Sequence, residues 1–232
     1  MTEIVKRSAA MTPRFKHCGE TAVSVELGDT IDLETNRRVR QLFHKLQENP
    51  LHGILSMNPT YRSLFIQYDP WECSFEKLIQ HLENMFRQGS GEPVEGRTLE
   101  IPVCYGGEFG PDLAFVASHN GLSVKEVIRI HSASLYPVFM IGFTPGFPYL
   151  GGLDSRLFTP RRDTPRIRVP AGSVGIADQQ TGIYSLESPG GWQIIGRSPL
   201  KFFDPQEDPP ALLRAGMNIR FRPINKDEYS LT

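Results

Sequence analysis

The chain has 232 residues, 39% of them hydrophobic and 22% charged, with a formal net charge of −1. This balance is that of an ordinary globular protein, long enough for one large domain or two small ones. It has no basic surplus calling for nucleic acid or an anionic membrane as partner, and no apolar run that would span a bilayer as a helix.

The opening MTEIVKRSAAMT (1–12) has basic character but lacks the apolar core of a signal peptide, so a disordered lead-in is expected. TAVSVEL (21–27) alternates as a half-buried strand does, with Val23, Val25 and Leu27 on one face. From Asp32 the spacing becomes helical, and Val39, Leu42, Phe43 and Leu46 share a stripe. GILSMN (53–58) and YRSLFIQYD (61–69) read as strands about an Asn58-Pro59 turn. Ser74 is a good N-cap for a second helix, whose Phe75, Leu78, Ile79, Leu82 and Phe86 lie on one face. The order is β-α-β-β-α, and LEIPVCY (99–105) is expected to add the last strand of a ferredoxin-like α+β unit.

RQGSGEPVEG (87–96) is polar with Gly, Ser and Pro, and reads as an interdomain linker. The expected domains are therefore 13–90, α+β, and 97–225, mainly β. Past the linker one convincing helix remains, GLSVKEVIRIHSAS (121–134), opened by a Ser123–Glu126 capping box. LYPVFMIGF, RIRVPAGSVGIA, GIYSL, GWQIIG, LKFFD and NIRFRPI come after it, short β-prone runs between Gly and Pro clusters. Many short strands at this spacing argue for a closed or nearly closed β-barrel. Cys18, Cys73 and Cys104 stand far apart without a CxxC pair, which fits unpaired thiols in a reducing, cytoplasmic setting.

Among the chemistry-bearing stretches, YGGEFGPD (105–112) is Gly-rich but lacks the lysine of a phosphate loop. It reads as a structural turn, with Asp112 capping the residues after it. AGSVG (171–175) nearly matches a nucleophile elbow, but Ser173 leads into a strand-like run, and the elbow needs a helix there. His131 falls on the buried stripe of its helix. It is either a core histidine bonded to backbone or a proton-transfer group facing a pocket. With no histidine four residues away, metal binding is not expected. In PRRDTPRIR (160–168), alternation puts Arg166 and Arg168 on one face and Ile167 and Val169 on the other. A guanidinium fork suits carboxylate recognition. GFTPGFPYLGG (142–152) sets three rings among Gly and Pro, as Gly190-Gly191-Trp192 and Gly196-Arg197 set a ring and a guanidinium beside glycine. Such stiff loops suit either the rim of a groove at a barrel mouth or a plug of rings closing the barrel end.

IPVCYGGEFGPDL, the run from GFTPGFPYLGG through VPAGSVGIADQQTGIYSLESPGGWQIIGRSPLKFFD, and the closing IRFRPI together resemble the B-subunit of 5-oxoprolinase, a family also called KipI or allophanate hydrolase subunit 1. The resemblance covers about Phe15 to Ile224. It implies a ferredoxin-like α+β N-terminal domain followed by a cyclophilin-like β-barrel. It also implies a cytoplasmic complex with two partners, the A-subunit of 5-oxoprolinase and its C-subunit, a KipA-like barrel protein. That complex opens 5-oxo-L-proline to L-glutamate using ATP and Mg, with no cofactor bound by this chain alone and no activity without its partners. Relatives imply two other uses: inhibition of a sensor histidine kinase, and carboxyl transfer in a urea carboxylase or allophanate pathway. Neither nucleic acid nor membrane is an expected partner. The departures from the family pattern are small: an extra carboxylate at Asp178, Ser198 for a usual threonine, and Ala215-Gly216-Met217 at a turn.

On the residue types and this resemblance together, His131 and Gln180 are expected to contact the amide or relay a proton. Arg166 or Arg197 is expected to hold the substrate carboxylate, with Tyr149, Thr181 and Tyr184 alongside. Phe143, Phe147 and Trp192 are expected to form apolar walls.

Overall fold

The computed structural model describes residues 12–87 and 96–231, so nearly all of the expected lead-in and linker lies outside the described residues. The described residues gather into two compact units, one from each stretch.

The first unit runs β1 (Arg14–His17), β2 (Ala22–Glu26), α1 (Leu33–Glu48), β3 (Ile54–Pro59), β4 (Ser63–Tyr68) and α2 (Phe75–Arg87). Its sheet is antiparallel in the order β1-β2-β4-β3. The apolar alternation in β2 buries Val23 and Val25, and Leu27 just beyond, against Val39, Leu42 and Leu46 of α1 and Leu78, Leu82 and Met85 of α2. Each such side chain contributes about 1.5–3 kcal/mol on leaving water. Asp32 caps α1 by accepting from the Thr35 amide at 2.8 Å.

The fourth strand is not LEIPVCY but β1. A tight turn through Gly19, at φ 71°, brings β1 back along β2, so the sheet edge is filled at almost no loop-closure cost. The Asn58-Pro59 turn also falls later than expected. β3 runs through Pro59, which as an edge-strand end needs no ladder donor, and Thr60 closes the turn onto Ser63 at 2.8 Å.

In the second unit come β5 (Thr98–Tyr105), α3 (Leu113–His119), α4 (Val124–Ala133), β6 (Leu135–Ile141), β7 (Pro148–Leu150) and a single 3-10 turn at Ser155–Leu157. After these come β8 (Arg166–Val169), β9 (Ser173–Ala177), β10 (Gln180–Ile183), β11 (Ser188–Gly190), β12 (Gln193–Arg197), β13 (Asn218–Ile224) and α5 (Lys226–Leu231). Seven strands close a mixed barrel in the order β10-β7-β6-β13-β5-β12-β9. β5 pairs parallel with β13 over seven residues, which is where LEIPVCY finds its partner. β8 and β11 form a separate two-stranded ribbon, and LKFFD contributes only an isolated bridge, Phe203 to Ala211.

The barrel core joins Ile101, Val103, Val138, Val174, Ile176 and Phe221 to Leu113 and Val116 of α3 and Val127 and Ile130 of α4. α4 opens on the expected capping box: the Ser123 amide donates to Glu126 Oε2 at 2.8 Å, and the Glu126 amide to Ser123 Oγ at 3.2 Å. The single-helix expectation for this unit is corrected by α3 and α5. α3 has only seven residues, too few for its periodicity to stand out beside the glycines before it. No helix among the described residues is long and apolar enough to cross a membrane.

Candidate functional site

The stretch at 142–152 turns the chain from β6 back into β7. It closes on itself, with the Gly142 amide donating to Phe147 O at 3.0 Å and the Phe147 amide to Thr144 O at 3.1 Å. This drops the Phe147 ring edge-on against Tyr184, at 5.3 Å and 89°, and against Trp192, at 5.5 Å and 87°. Tyr149 completes the group at 4.9 Å from Phe147. Edge-to-face pairs place a positive ring edge on a negative face and add to what burial itself contributes.

Glycine is what lets these rings sit on backbone. A Cβ at Gly190 would lie 2.1 Å from the Tyr184 hydroxyl, and one at Gly182 would lie 2.9 Å from the Trp192 ring. Phe147, Tyr184 and Trp192 are accordingly buried. This corrects the expectation that Phe147 and Trp192 stand as walls of an open groove; they interlock as a packed floor. Phe143 alone among the loop's rings faces solvent, 62% exposed, edge-on to Phe147 at 5.6 Å. Its φ of 61° is one that side-chain-bearing residues adopt only at a cost of about 1–2 kcal/mol.

The basic stretch 160–168 lies against this floor. Burial raises the Tyr184 hydroxyl pKa, opposed in part by its bond to the Trp192 backbone and by the charges of Arg161 and Arg166. Burial likewise raises that of Tyr149, opposed by Arg161. Arg161 itself is exposed and pairs with Asp178 at 3.2 Å, beside the β9–β10 turn. Arg162 and Arg166 instead point at one buried carboxylate, Asp112. Its Oδ1 accepts from Arg166 Nη2 at 2.7 Å and from Arg162 Nη1 at 3.1 Å, while Oδ2 accepts from the Ile194 amide at 2.7 Å. Asp112 stands at the N-cap position of α3 but makes no capping bond with its side chain, because the arginines and Ile194 occupy it. The expected facing in β8 is corrected too: Val169 is buried, whereas Ile167 is 91% exposed.

His131 and Thr181 meet inside the barrel. Thr181 Oγ1 donates to Gly175 O at 2.9 Å and so must accept from His131 Nε2, 3.0 Å away. Nδ1 then accepts from the Tyr105 hydroxyl at 2.8 Å. The chain Tyr105–His131–Thr181–Gly175 is complete, and it fixes the neutral Nε2–H tautomer. His131 is fully buried, and desolvation lowers its pKa to about 3. This is a core histidine, but its partners are side-chain hydroxyls where backbone was expected: both ring nitrogens are occupied and neither meets solvent.

Gln180 is half-buried at the start of β10, just past Asp178, whose φ is 53°. Arg197 ends β12 in register with Ser173 and Cys104, its guanidinium 5.5 Å from the Phe109 ring centroid. Ser173 is fully buried at the start of a strand, so the elbow context fails as the sequence suggested.

Phe147, Tyr149, Tyr184 and Trp192 thus form one constellation flanked by Arg166, with Phe143 at its edge. His131 with Thr181 forms a second, and the Arg197 guanidinium sits over Phe109. Sequence reasoning missed Asp112, Arg162 and Tyr105 as members. Among the described residues no group of three or more His, Cys, Asp or Glu side chains is arranged to hold a metal ion.

The family described as carboxyltransferase domain, subdomain C and D, matches residues 13–213. The chain is 43% identical over 232 residues to a Bacillus subtilis (strain 168) protein named as the B-subunit of 5-oxoprolinase, covering 94% of this chain and 97% of that one. It is 45% identical over 205 residues to the Escherichia coli O157:H7 protein of the same name, covering 88% and 93%. The solved structure of TTHA0988 matches with a TM-score of 0.77 at 40% identity, over 88% of this chain. This chain spans only 40% of that solved one. The K. lactis urea amidolyase matches at 22% identity with a TM-score of 0.77, over 98% of this chain and 16% of that one, a likeness of fold alone.

Proposed function

The chain belongs to the family of 5-oxoprolinase B-subunits, within the wider carboxyltransferase C and D domain family, and from that premise we propose that it serves as the B-subunit of an ATP-dependent 5-oxoprolinase. With the A- and C-subunits, in the cytoplasm, it opens 5-oxo-L-proline to L-glutamate and is inactive alone. The observation that carries this reading is the identity with the named B-subunits across nearly the whole length of both chains. The Arg162–Arg166 pair is its chemical support, since the substrate bears a carboxylate and a guanidinium fork binds one with two parallel hydrogen bonds. ATP and Mg are used by the complex and act on parts supplied by a partner. They meet the need to activate a lactam too stable to hydrolyse unaided.

In this reading the N-terminal unit (13–90) is a ferredoxin-like variant whose fourth strand comes from β1, and the second unit (97–225) is a cyclophilin-like barrel. Arg166 holds the carboxylate, with Tyr149 and Gln180 beside the ring and Tyr184 in the buried floor beneath. Phe143 offers its exposed face to substrate or partner. His131 acts through Thr181, holding β10 in register rather than touching substrate.

Mixing the purified chain with the A- and C-subunits and following glutamate release from 5-oxoproline and ATP tests the proposal. Glutamate at full rate without this chain would refute it. Arg166→Ala removes charge-assisted hydrogen bonds contributing about 1.5–3 kcal/mol, so KM for 5-oxoproline is expected to rise about 10- to 100-fold. An unchanged KM would take Arg166 out of the site.

A further inference from the structure

The glycine-rich stretch YGGEFGPD (105–112) carries more glycine than a turn needs, and its Asp112 leaves the helix it precedes uncapped. Its backbone explains both facts. The Gly106 amide donates to Ile195 O at 3.0 Å and the Asp112 amide to Ile194 O at 2.9 Å, so the loop lies flush along β12. At Gly110 a Cβ would fall 2.0 Å from Ile195 O, closer than any side chain permits. Glycine here holds the loop against the strand, and the loop holds Asp112 where its carboxylate is buried under the two arginines.

Two guanidiniums share one oxygen of a single carboxylate, which leaves the cluster formally one positive charge in excess. A carboxylate has room for about four donors, and three are in place. The arginines, by contrast, are not satisfied: Nη1 of Arg166 and Nε of Arg162 are buried with no hydrogen-bond acceptor among the described residues. Leaving such a donor unmet costs about 1–3 kcal/mol. Those two nitrogens are themselves covered, so an arriving carboxylate supplies the missing charge and meets the arginines at the part of each side chain that stays open. It has an approach, because a quarter of the Arg166 side chain and a third of that of Arg162 remain open.

We propose that Asp112 is a positioning residue that sets Arg166, together with Arg162, as a preformed receptor for the substrate carboxylate. This rests on the assignment of Arg166 to the carboxylate and adds to it the group that orients the fork. A free arginine side chain gives up about 2 kcal/mol of rotamer entropy when fixed. Asp112 takes that cost during folding, so it is not charged against substrate affinity.

The test is made in the complex assembled with the A- and C-subunits, with Asp112→Asn and Arg162→Gln in this chain. Asparagine keeps the shape of the side chain but turns one acceptor into a donor, so at least one of the three contacts becomes donor against donor. The expected result is a KM for 5-oxoproline raised about tenfold, equal to about 1.4 kcal/mol, with kcat nearly unchanged. For Arg162→Gln, on the more open side chain, a KM raised several-fold with kcat unchanged is expected. An unchanged or lowered KM in either folded variant overturns the inference, as does a fall in kcat without a rise in KM. If Asp112→Asn does not fold, Arg162→Gln decides alone. The two assignments separate cleanly. If Arg166→Ala leaves KM unchanged, the carboxylate site itself is misplaced. If Arg166→Ala raises KM while the other two variants do not, only the positioning role falls.

Discussion

Replacing His131 by glutamine is expected to flatten the acid side of the stability curve. Its imidazole is fully buried, bonded to Tyr105 and Thr181 and stacked on Phe221 at 4.5 Å, with Tyr136 at 5.3 Å, so no carboxylate faces it among these contacts. Desolvation lowers its pKa from 6.5 to about 3. Between those values the unfolded chain takes up a proton that the folded chain refuses. The stability difference therefore shrinks as pH falls through 6.5 and stops shrinking near 3. One pKa unit is worth about 1.4 kcal/mol, so lowering the pH from about 7.5 to about 5 costs the native protein about 2 kcal/mol through this residue alone. Glutamine does not titrate. Urea unfolding of the chain and of His131→Gln at the two pH values measures the difference: the variant is less stable throughout, but its loss on acidification is smaller by about 2 kcal/mol. The other histidines are common to both proteins, so their contributions cancel in the comparison. Equal losses in the two would mean that the imidazole reaches water and would refute the buried, neutral assignment.

Two further substitutions probe the ring floor and its edge. Gly190→Ala drives a methyl into the Tyr184 hydroxyl, 2.1 Å from the ideal Cβ. Overpacking of this kind costs about 1–3 kcal/mol, so a lowered melting midpoint with altered near-ultraviolet circular dichroism is expected, and an unchanged spectrum would mean the ring is free to move. Phe143→Gly relieves a positive φ worth about 1 kcal/mol and loses an edge contact of about the same size. The midpoint should hardly move while activity of the assembled complex falls; full activity would leave the exposed ring without a role.

What the sequence made legible was whatever a single segment decides for itself. The stripes of α1 and α2, the capping box of α4 and the alternation of β2 are local patterns, and the structure keeps each one. LEIPVCY was correctly a strand, but strand-forming pattern carries no record of which neighbour supplies the hydrogen bonds, so its placement beside β13 had no local signal. The same limit hid the Asp112 cluster. Asp112 and Arg166 are 54 residues apart, and an aspartate before a helix looks like a cap until a distant arginine is brought to it. Gly110 was the available clue. A third glycine in eight residues exceeds what one turn requires, and here it marks a backbone pressed against another strand.

The second unit therefore contains two buried polar systems of opposite character. The Tyr105–His131–Thr181 chain is neutral, and each of its N–H and O–H donors meets an acceptor. A network so completed rigidifies the core around it and has nothing left to offer a ligand. The Asp112–Arg162–Arg166 cluster is charged and unequal, with two buried N–H groups unmet and its arginine side chains partly open. Its excess positive charge beside partly open side chains is what an anion can be drawn to. The aromatic floor belongs with the second system, since Tyr184 feels the charges of Arg161 and Arg166 while its ring is locked by Phe147 and Trp192. Of the two, it is the incomplete one that carries the proposed carboxylate site.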